Sequence, residues 1–144
     1  MSTSITPYLD FAGRLEEALE FYRKALGAEV EMLMRFNDSP EPTPPGMLQA
    51  GFEKKVMHAS FRVRGVSLMA SDGCNDTSKF DGFQLALTLP TEADARRDFD
   101  ALADGGSVQM PLVKTFWSPC FGMLTDRFGL RWMITVPAPI DGKQ

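Results

Sequence analysis

Gly65-Val66-Ser67-Leu68-Met69-Ala70-Ser71 and Gly129-Leu130-Arg131-Trp132-Met133-Ile134-Thr135 follow one pattern. Each opens on a turn glycine, runs through a large apolar residue to a methionine, and closes on a hydroxyl. Working upstream from each, the same order of elements returns. Before the first lie a strand over Val56–Arg64, a strand over Glu29–Phe36, an amphipathic helix ending at Gly27, and a short strand over Ile5–Phe11. Before the second lie strands over Phe121–Thr125 and Ser107–Thr115, a helix ending near Ala103 before Gly105, and a strand over Phe83–Leu89. Phe21 precedes Gly27 by the same interval as Phe99 precedes Gly105. Self-similarity of this kind marks a duplicated unit. The expected fold is therefore α+β, with two tandem βαβββ modules spanning residues 5–71 and 83–137 of a single domain, 1–144.

The local signals support each element. Leu15, Ala18, Leu19, Tyr22, Ala25 and Leu26 form one helical stripe, with Glu16, Glu17, Glu20 and Lys24 outside it. Gly27 stands where a left-handed residue closes a helix. Thr91 and Asp94 resemble a capping box for the second helix, whose apolar positions are Ala95, Phe99, Leu102 and Ala103. Asn37–Pro45 holds four prolines and cannot continue a strand. Asp72–Gly82 is polar and turn-rich, a connector between the units.

Composition narrows the function classes. The chain has 144 residues, 44% of them hydrophobic and 24% charged, which is enough for a core without covalent staples. The formal net charge is −4 with both signs interspersed, so the clustered basic face that nucleic acid rewards is missing. Lys54-Lys55 beside Glu53 reads as a solvated loop edge. No apolar run is long enough to span a bilayer. Met1–Tyr8 lacks the basic start and apolar stretch of a secretory signal, so the expected location is the cytoplasm. Cys74 and Cys120 have no metal or redox spacing and are expected as free thiols.

Strand alternation assigns faces. Met57, Ala59, Phe61 and Val63 should lie under a helix, leaving His58, Ser60, Arg62 and Arg64 opposite. Leu68 and Ala70 take the helix side, with Ser67, Met69 and Ser71 opposite. In the second module Trp132, Ile134 and Val136 take the helix side, leaving Met133 and Thr135. Gln84, Ala86 and Thr88 oppose Phe83, Leu85, Leu87 and Leu89. The faces without a helix thus collect His58, Ser60, Arg62, Met69, Gln84, Met133 and Thr135. Apolar walls with a few polar groups suit a small-molecule site. Trp117, with Phe116 and Phe121 around a proline turn, is a candidate aromatic wall.

Tyr8-Leu9-x-Phe11, Ala18-x-x-Phe21-Tyr22-x-x-x-Leu26-Gly27 and Asp126-x-Phe128-Gly129-x-x-Trp132 resemble the vicinal-oxygen-chelate superfamily. That group holds glyoxalases, fosfomycin- and bleomycin-resistance proteins and extradiol dioxygenases. Thr115-Phe116-Trp117, His58-Ala59 and Ser71-Asp72 narrow the resemblance to its PhnB-like subgroup. The resemblance covers Ile5 to Val136 and implies paired modules lining a cup, in a homodimer. It also implies that metal-dependent members draw His, Gln or Glu ligands from the first and last strands of each module. In this chain the last-strand positions hold Met69 and Met133, and the first-strand positions offer Thr6 or Tyr8 and Gln84. Hard divalent ions prefer imidazole and carboxylate over thioether, and the chain has one histidine.

The expected protein is a metal-free and cofactor-free small-molecule binder, with no nucleic-acid or membrane partner. Its ligand would meet Ser60, Arg62, Met69, Gln84, Trp117, Met133 and Thr135. His58 is the candidate general base or proton donor, because imidazole exchanges protons near neutrality; Asp72 is placed to reach it from the end of a strand. A metal-dependent lyase or oxygenase using His58, Asp72 and Gln84 is the alternative. Cys120 is expected to be a packed thiol and Asp126 a turn cap. A methyltransferase would need a glycine-rich strand-to-helix loop to cradle its cofactor, and none is present.

Overall fold

The computed structural model describes residues 2–139. The chain divides into two compact units at the Lys79/Phe80 boundary. In the first, β1 (Tyr8–Asp10), α1 (Leu15–Leu26), β2 (Glu29–Arg35), β3 (Val56–Val63) and β4 (Val66–Ser71) build a four-stranded sheet of order β1-β4-β3-β2. In the second, β5 (Leu85–Thr88), α2 (Glu92–Ala103), β6 (Ser107–Val113), β7 (Cys120–Thr125) and β8 (Arg131–Val136) repeat it as β5-β8-β7-β6. The first strand of each unit runs parallel to the last, and the other pairs are antiparallel. The duplication is therefore one of topology as well as sequence. No helix among the described residues is long and apolar enough to cross a membrane.

One helix covers one face of each sheet. Leu15, Ala18, Leu19, Tyr22 and Leu26 of α1 are buried, and Tyr22 stacks on Phe61 with ring centroids 6.4 Å apart. Beneath them Ala59 pairs with Ala70, both at 0% exposure, so the small side chains let the helix approach the sheet. Gly27 ends α1 at φ 68°, and its N–H bonds to the Arg23 carbonyl. In the second unit Ala95, Phe99 and Leu102 of α2 are buried, as are Leu124, Trp132 and Ile134 of β7 and β8. Thr91 accepts the Asp94 N–H at 3.1 Å, the expected N-cap.

The outer strands are shorter than alternation predicts. Ile5–Phe11 contracts to Tyr8–Asp10, because Pro7 has no N–H for the ladder, although its carbonyl still accepts Met69 N–H at 3.0 Å. Phe83–Leu89 contracts to Leu85–Thr88. One face assignment also changes. Met34 pairs with His58 but Arg35 with Val56, so Met57 is an extra residue in β3. Val56 therefore takes the buried position at 0% exposure, and Met57 is only half-buried. A second shift, between Val30 and Met32, leaves Glu31 as the extra residue of β2.

Candidate ligand-binding faces

Paired residues of neighbouring strands share a face, so the registers identify what lies opposite each helix. In the first module one row across the uncovered face reads Tyr8, Met69, Ser60 and Met32. Beside it runs a row that includes Asp10, Ser71, His58 and Met34. Arg62 pairs with Ser67 and Glu29 in a third row. His58, Ser60, Arg62 and Met69 are thus together on one face, as alternation predicts.

His58 is oriented by Tyr8, whose phenol oxygen lies 3.1 Å from His58 Nδ1, with the two rings 5.5 Å apart. Tyr8 is half exposed, so the pair stands at the surface of this face. Alternation along β1 puts Tyr8 opposite the buried Leu9. Its approach to His58 depends on the parallel β1–β4 pairing, which a reading of single strands does not supply.

Arg62 is less available. It donates to the Gly65 carbonyl at 2.9 Å and lies 3.8 Å from Glu31, which also accepts from Ser67 at 3.2 Å. Asp10 accepts from Ala12 N–H at 2.8 Å and from the Ser78 hydroxyl at 3.1 Å.

Asp72 does not reach His58. It is fully buried, and its two carboxylate oxygens accept Leu15 N–H and Val56 N–H, each at 2.7 Å. It anchors the start of α1 to the sheet, satisfying an N–H that the first helical turn leaves open. The set His58, Asp72 and Gln84 therefore loses its carboxylate.

The second module's uncovered face is rich in methionine at its centre and polar toward one end. One row reads Ala86, Met133, Met123 and Met110, and the next Thr88, Thr135, Phe121 and Val113. Gln84 stands just outside β5 and lines a shallow pocket of ≈ 230 Å³ with Gln109, Met123, Thr125 and Arg131. Thr135 donates to the Ser118 hydroxyl at 3.2 Å. Trp117 is half exposed and packs edge-on against Phe121 at 5.3 Å and Phe116 at 4.7 Å, an open aromatic step. Cys120 is buried, and loss of solvent pushes its thiol pKa up, against a smaller opposing pull from Arg96. A neutral, inert thiol is the consequence. Asp126 accepts Phe128 N–H, Leu130 N–H and Trp132 Nε1–H at 2.9, 3.1 and 2.9 Å, so it closes the β7–β8 turn as the sequence suggests.

The positions at which the sequence resemblance implies metal ligands can be placed by register. Tyr8 pairs with Met69, and Ala86, rather than Gln84, pairs with Met133. A phenol, two thioethers and a methyl group do not make the imidazole and carboxylate set that a hard divalent ion requires. Among the described residues, no group of three or more His, Cys, Asp and Glu side chains is placed to hold a metal ion.

Comparison with known proteins agrees with this architecture. Residues 3–135 match the family model described as 3-demethylubiquinone-9 3-methyltransferase. The chain is 36% identical over 140 residues to protein YjdN of Escherichia coli strain K12, covering 92% of this chain and 94% of that one. Among solved structures it resembles protein PA1353 from Pseudomonas aeruginosa, at 43% identity and TM-score 0.80 over 94% of this chain and 98% of the other. It also resembles a PhnB protein from Bacillus cereus described as a putative 3-demethylubiquinone-9 3-methyltransferase. That match is 31% identical, with TM-score 0.75 over 93% and 99% of the two chains. The fold alone extends to the fosfomycin resistance protein FosX from Listeria monocytogenes, at 10% identity and TM-score 0.65 over 96% of each chain.

Proposed function

The chain belongs to the PhnB-like family described as 3-demethylubiquinone-9 3-methyltransferase, within the glyoxalase-like vicinal-oxygen-chelate fold, and from that premise we propose that it binds a small organic molecule on its uncovered sheet surfaces without the superfamily's metal. The observation that carries this reading is the replacement of donors at the two paired positions. Tyr8 with Met69 and Ala86 with Met133 present soft or apolar groups where a hard cation needs charged oxygens or imidazoles. What remains around them is a mixture of thioethers, aromatic edges and a few hydrogen-bonding groups, the usual lining of an organic ligand site.

Within this reading His58 supplies the protic chemistry, Ser60 and Met69 the adjoining wall, and Arg62 a cation already shared with Glu31. On the second module Met133, Thr135 and Trp117 supply apolar and aromatic contact, with Gln84 beside them. The working form is a homodimer in the cytoplasm, checked by sedimentation and fractionation. The family description names methyl transfer, but β1 joins α1 through Phe11-Ala12-Gly13-Arg14, which lacks the repeated glycines of a nucleotide-type cradle. Ligand binding is therefore the function the geometry favours.

The decisive experiment is titration of purified protein with Mn²⁺, Ni²⁺, Zn²⁺ and Fe²⁺, alongside a thermal-shift screen of metabolites. We expect no stoichiometric metal and at least one stabilising organic ligand. Tight one-to-one binding of any of these ions overturns the reading. A His58→Ala variant that keeps ligand affinity but loses turnover would make the protein an enzyme.

A further inference from the structure

Each module sets one arginine in the row of its uncovered face that lies nearest the turn between its last two strands. In the first, Arg62 of β3 pairs with Ser67 of β4 and Glu29 of β2. In the second, Arg131 of β8 pairs with Thr125 of β7, which pairs with Ser107 of β6. Arginine and hydroxyl have exchanged strands between the copies.

Beside this row each module carries one extra strand residue. The register shifts between Val30 and Met32 in β2 and between Val108 and Met110 in β6, so Glu31 and Gln109 are equivalent bulged residues. Glu31 lies 3.8 Å from Arg62 and accepts from Ser67 at 3.2 Å. Gln109 is its neutral counterpart. Its amide oxygen accepts from Thr125 at 2.9 Å, and its amide nitrogen donates to Ser107 at 3.0 Å. The acid that occupies the guanidinium in the first module is thus an amide in the second.

No strand of the second module carries Asp or Glu. Arg131 is exposed, and among the described residues it has no hydrogen-bond or ion-pair partner. With Gln84, Gln109, Met123 and Thr125 it lines the ≈ 230 Å³ pocket. Gln84 precedes Leu85 and Arg131 precedes its partner Trp132, so the two stand side by side across parallel strands. The next row inward is Ala86, Met133, Met123 and Met110. Two residues along a strand, roughly 7 Å, separate the rows.

We propose that this pocket binds the carboxylate of an amphipathic organic acid through the Arg131 guanidinium. The Gln84 amide lies beside the carboxylate, and the acid's apolar body covers the methionine row. This deepens the small-molecule reading above and rests on it. Charge selects the class: one guanidinium among neutral groups matches a monoanion, and its planar fork takes both carboxylate oxygens. Gln109 is the new specificity-determining residue, because a neutral amide at the bulge leaves the guanidinium open.

Hexanoate is the probe and hexanamide its neutral counterpart, each titrated into the whole chain at constant ionic strength. The ¹³C-methyl resonances of the methionines are followed, with Met123 assigned by the signal lost in Met123→Leu. Hexanoate should move the Met123 methyl saturably and bind about tenfold tighter than hexanamide. Arg131→Gln should weaken hexanoate about tenfold, the usual size of a lost charge-assisted hydrogen bond. Gln109→Glu should weaken it as much, by giving Arg131 the kind of internal partner that Arg62 already has. Arg96→Gln removes the same charge from α2, across the sheet, and should leave the affinity unchanged.

Arg131 is exposed, so its variant keeps the fold, checked by circular dichroism. A response that never saturates, equal binding of hexanamide, or unchanged affinity in Arg131→Gln or Gln109→Glu overturns the proposal. An equal loss in Arg96→Gln does so too, since it marks a diffuse charge effect. If hexanoate proves inert while the screen finds a neutral ligand, this inference fails and the binding function stands. Stoichiometric metal removes the binding function itself.

Discussion

The two modules share a fold and differ in what they show on the face their helix leaves open. Aligned at Met69 and Met133, the first presents Tyr8, Ser60 and His58 where the second presents Ala86, Met123 and Phe121. Their covered faces, in contrast, solve one packing problem with different volumes. Ala59 pairs with Ala70 under α1, whereas Gly122 pairs with Ile134 under α2. In the second module a large residue on one strand lies beside the smallest on its neighbour. Duplication thus preserves the topology, while the residues on the uncovered faces differ. Packing constrains buried side chains at the scale of a methyl group, and the face left open by the helix is under less of that constraint.

Both modules also bury a carboxylate whose oxygens accept N–H groups, Asp72 holding the start of α1 and Asp126 holding the β7–β8 turn and the Trp132 indole. Breaking these should have the largest effects. Asp126→Ala strands three donors and should cost about 3 kcal/mol or more in urea unfolding, with Asp72→Ala close behind. If Asp72→Ala proves neutral, the idea that each module depends on its own buried anchor fails.

Next in size is Gly122→Ala. Its methyl group would meet Phe99 Cε2 at 2.8 Å and the Met110 carbonyl at 2.9 Å, the latter on a strand that cannot retreat freely. A loss of about 2 kcal/mol is expected from overpacking. Combining it with Leu112→Ala, which removes the Cδ2 that the new methyl would meet at 3.1 Å, should recover part of that loss. Strict additivity in this pair would mean that the side chain of Leu112 yields to the new methyl at no cost.

The thiols extend the comparison to reactivity. Cys74 of the first module is partly exposed and Cys120 of the second is buried, with its pKa raised by desolvation. At pH 8 one thiol should react with a chromogenic disulfide within minutes and the second only on denaturation. Rapid reaction of both would mean that the second module opens readily.

The smallest effect belongs to the surface. Arg35 of β2 donates to Glu16 of α1 at 2.5 Å and holds its carboxyl below the usual glutamate range. In α2, by contrast, Glu92 pairs with Arg96 and Asp94 with Arg97 along the helix itself. The Glu16 contribution is present above the ordinary glutamate pKa and is lost as pH falls through the lowered value. Because both side chains are substantially exposed, Glu16→Gln should cost no more than about 0.5 kcal/mol at pH 7, and nothing once the glutamate is protonated.

Much of this organisation is legible in the chain itself. The Gly-to-hydroxyl repeat reveals the duplication, helical spacing locates α1 and α2, and strand alternation puts His58, Ser60, Arg62 and Met69 on one surface. These signals are local or periodic, and a single strand or helix carries each of them. Alternation fails at Met57, because an extra residue in one strand is visible only against its partner. It also leaves open which first-strand residue meets Met69, and the parallel register of β1 with β4 answers with Tyr8.

The sequence by itself therefore determined the duplicated architecture, the two core stripes and the single histidine, since each follows from residue type and spacing. Only the tertiary structure decided that Tyr8 meets His58, that Asp72 is committed to Leu15 and Val56, and that Arg62 is shared with Glu31. The reason is physical. Each of those contacts joins segments distant in sequence, and a partner's identity depends on strand pairing, which no single segment encodes.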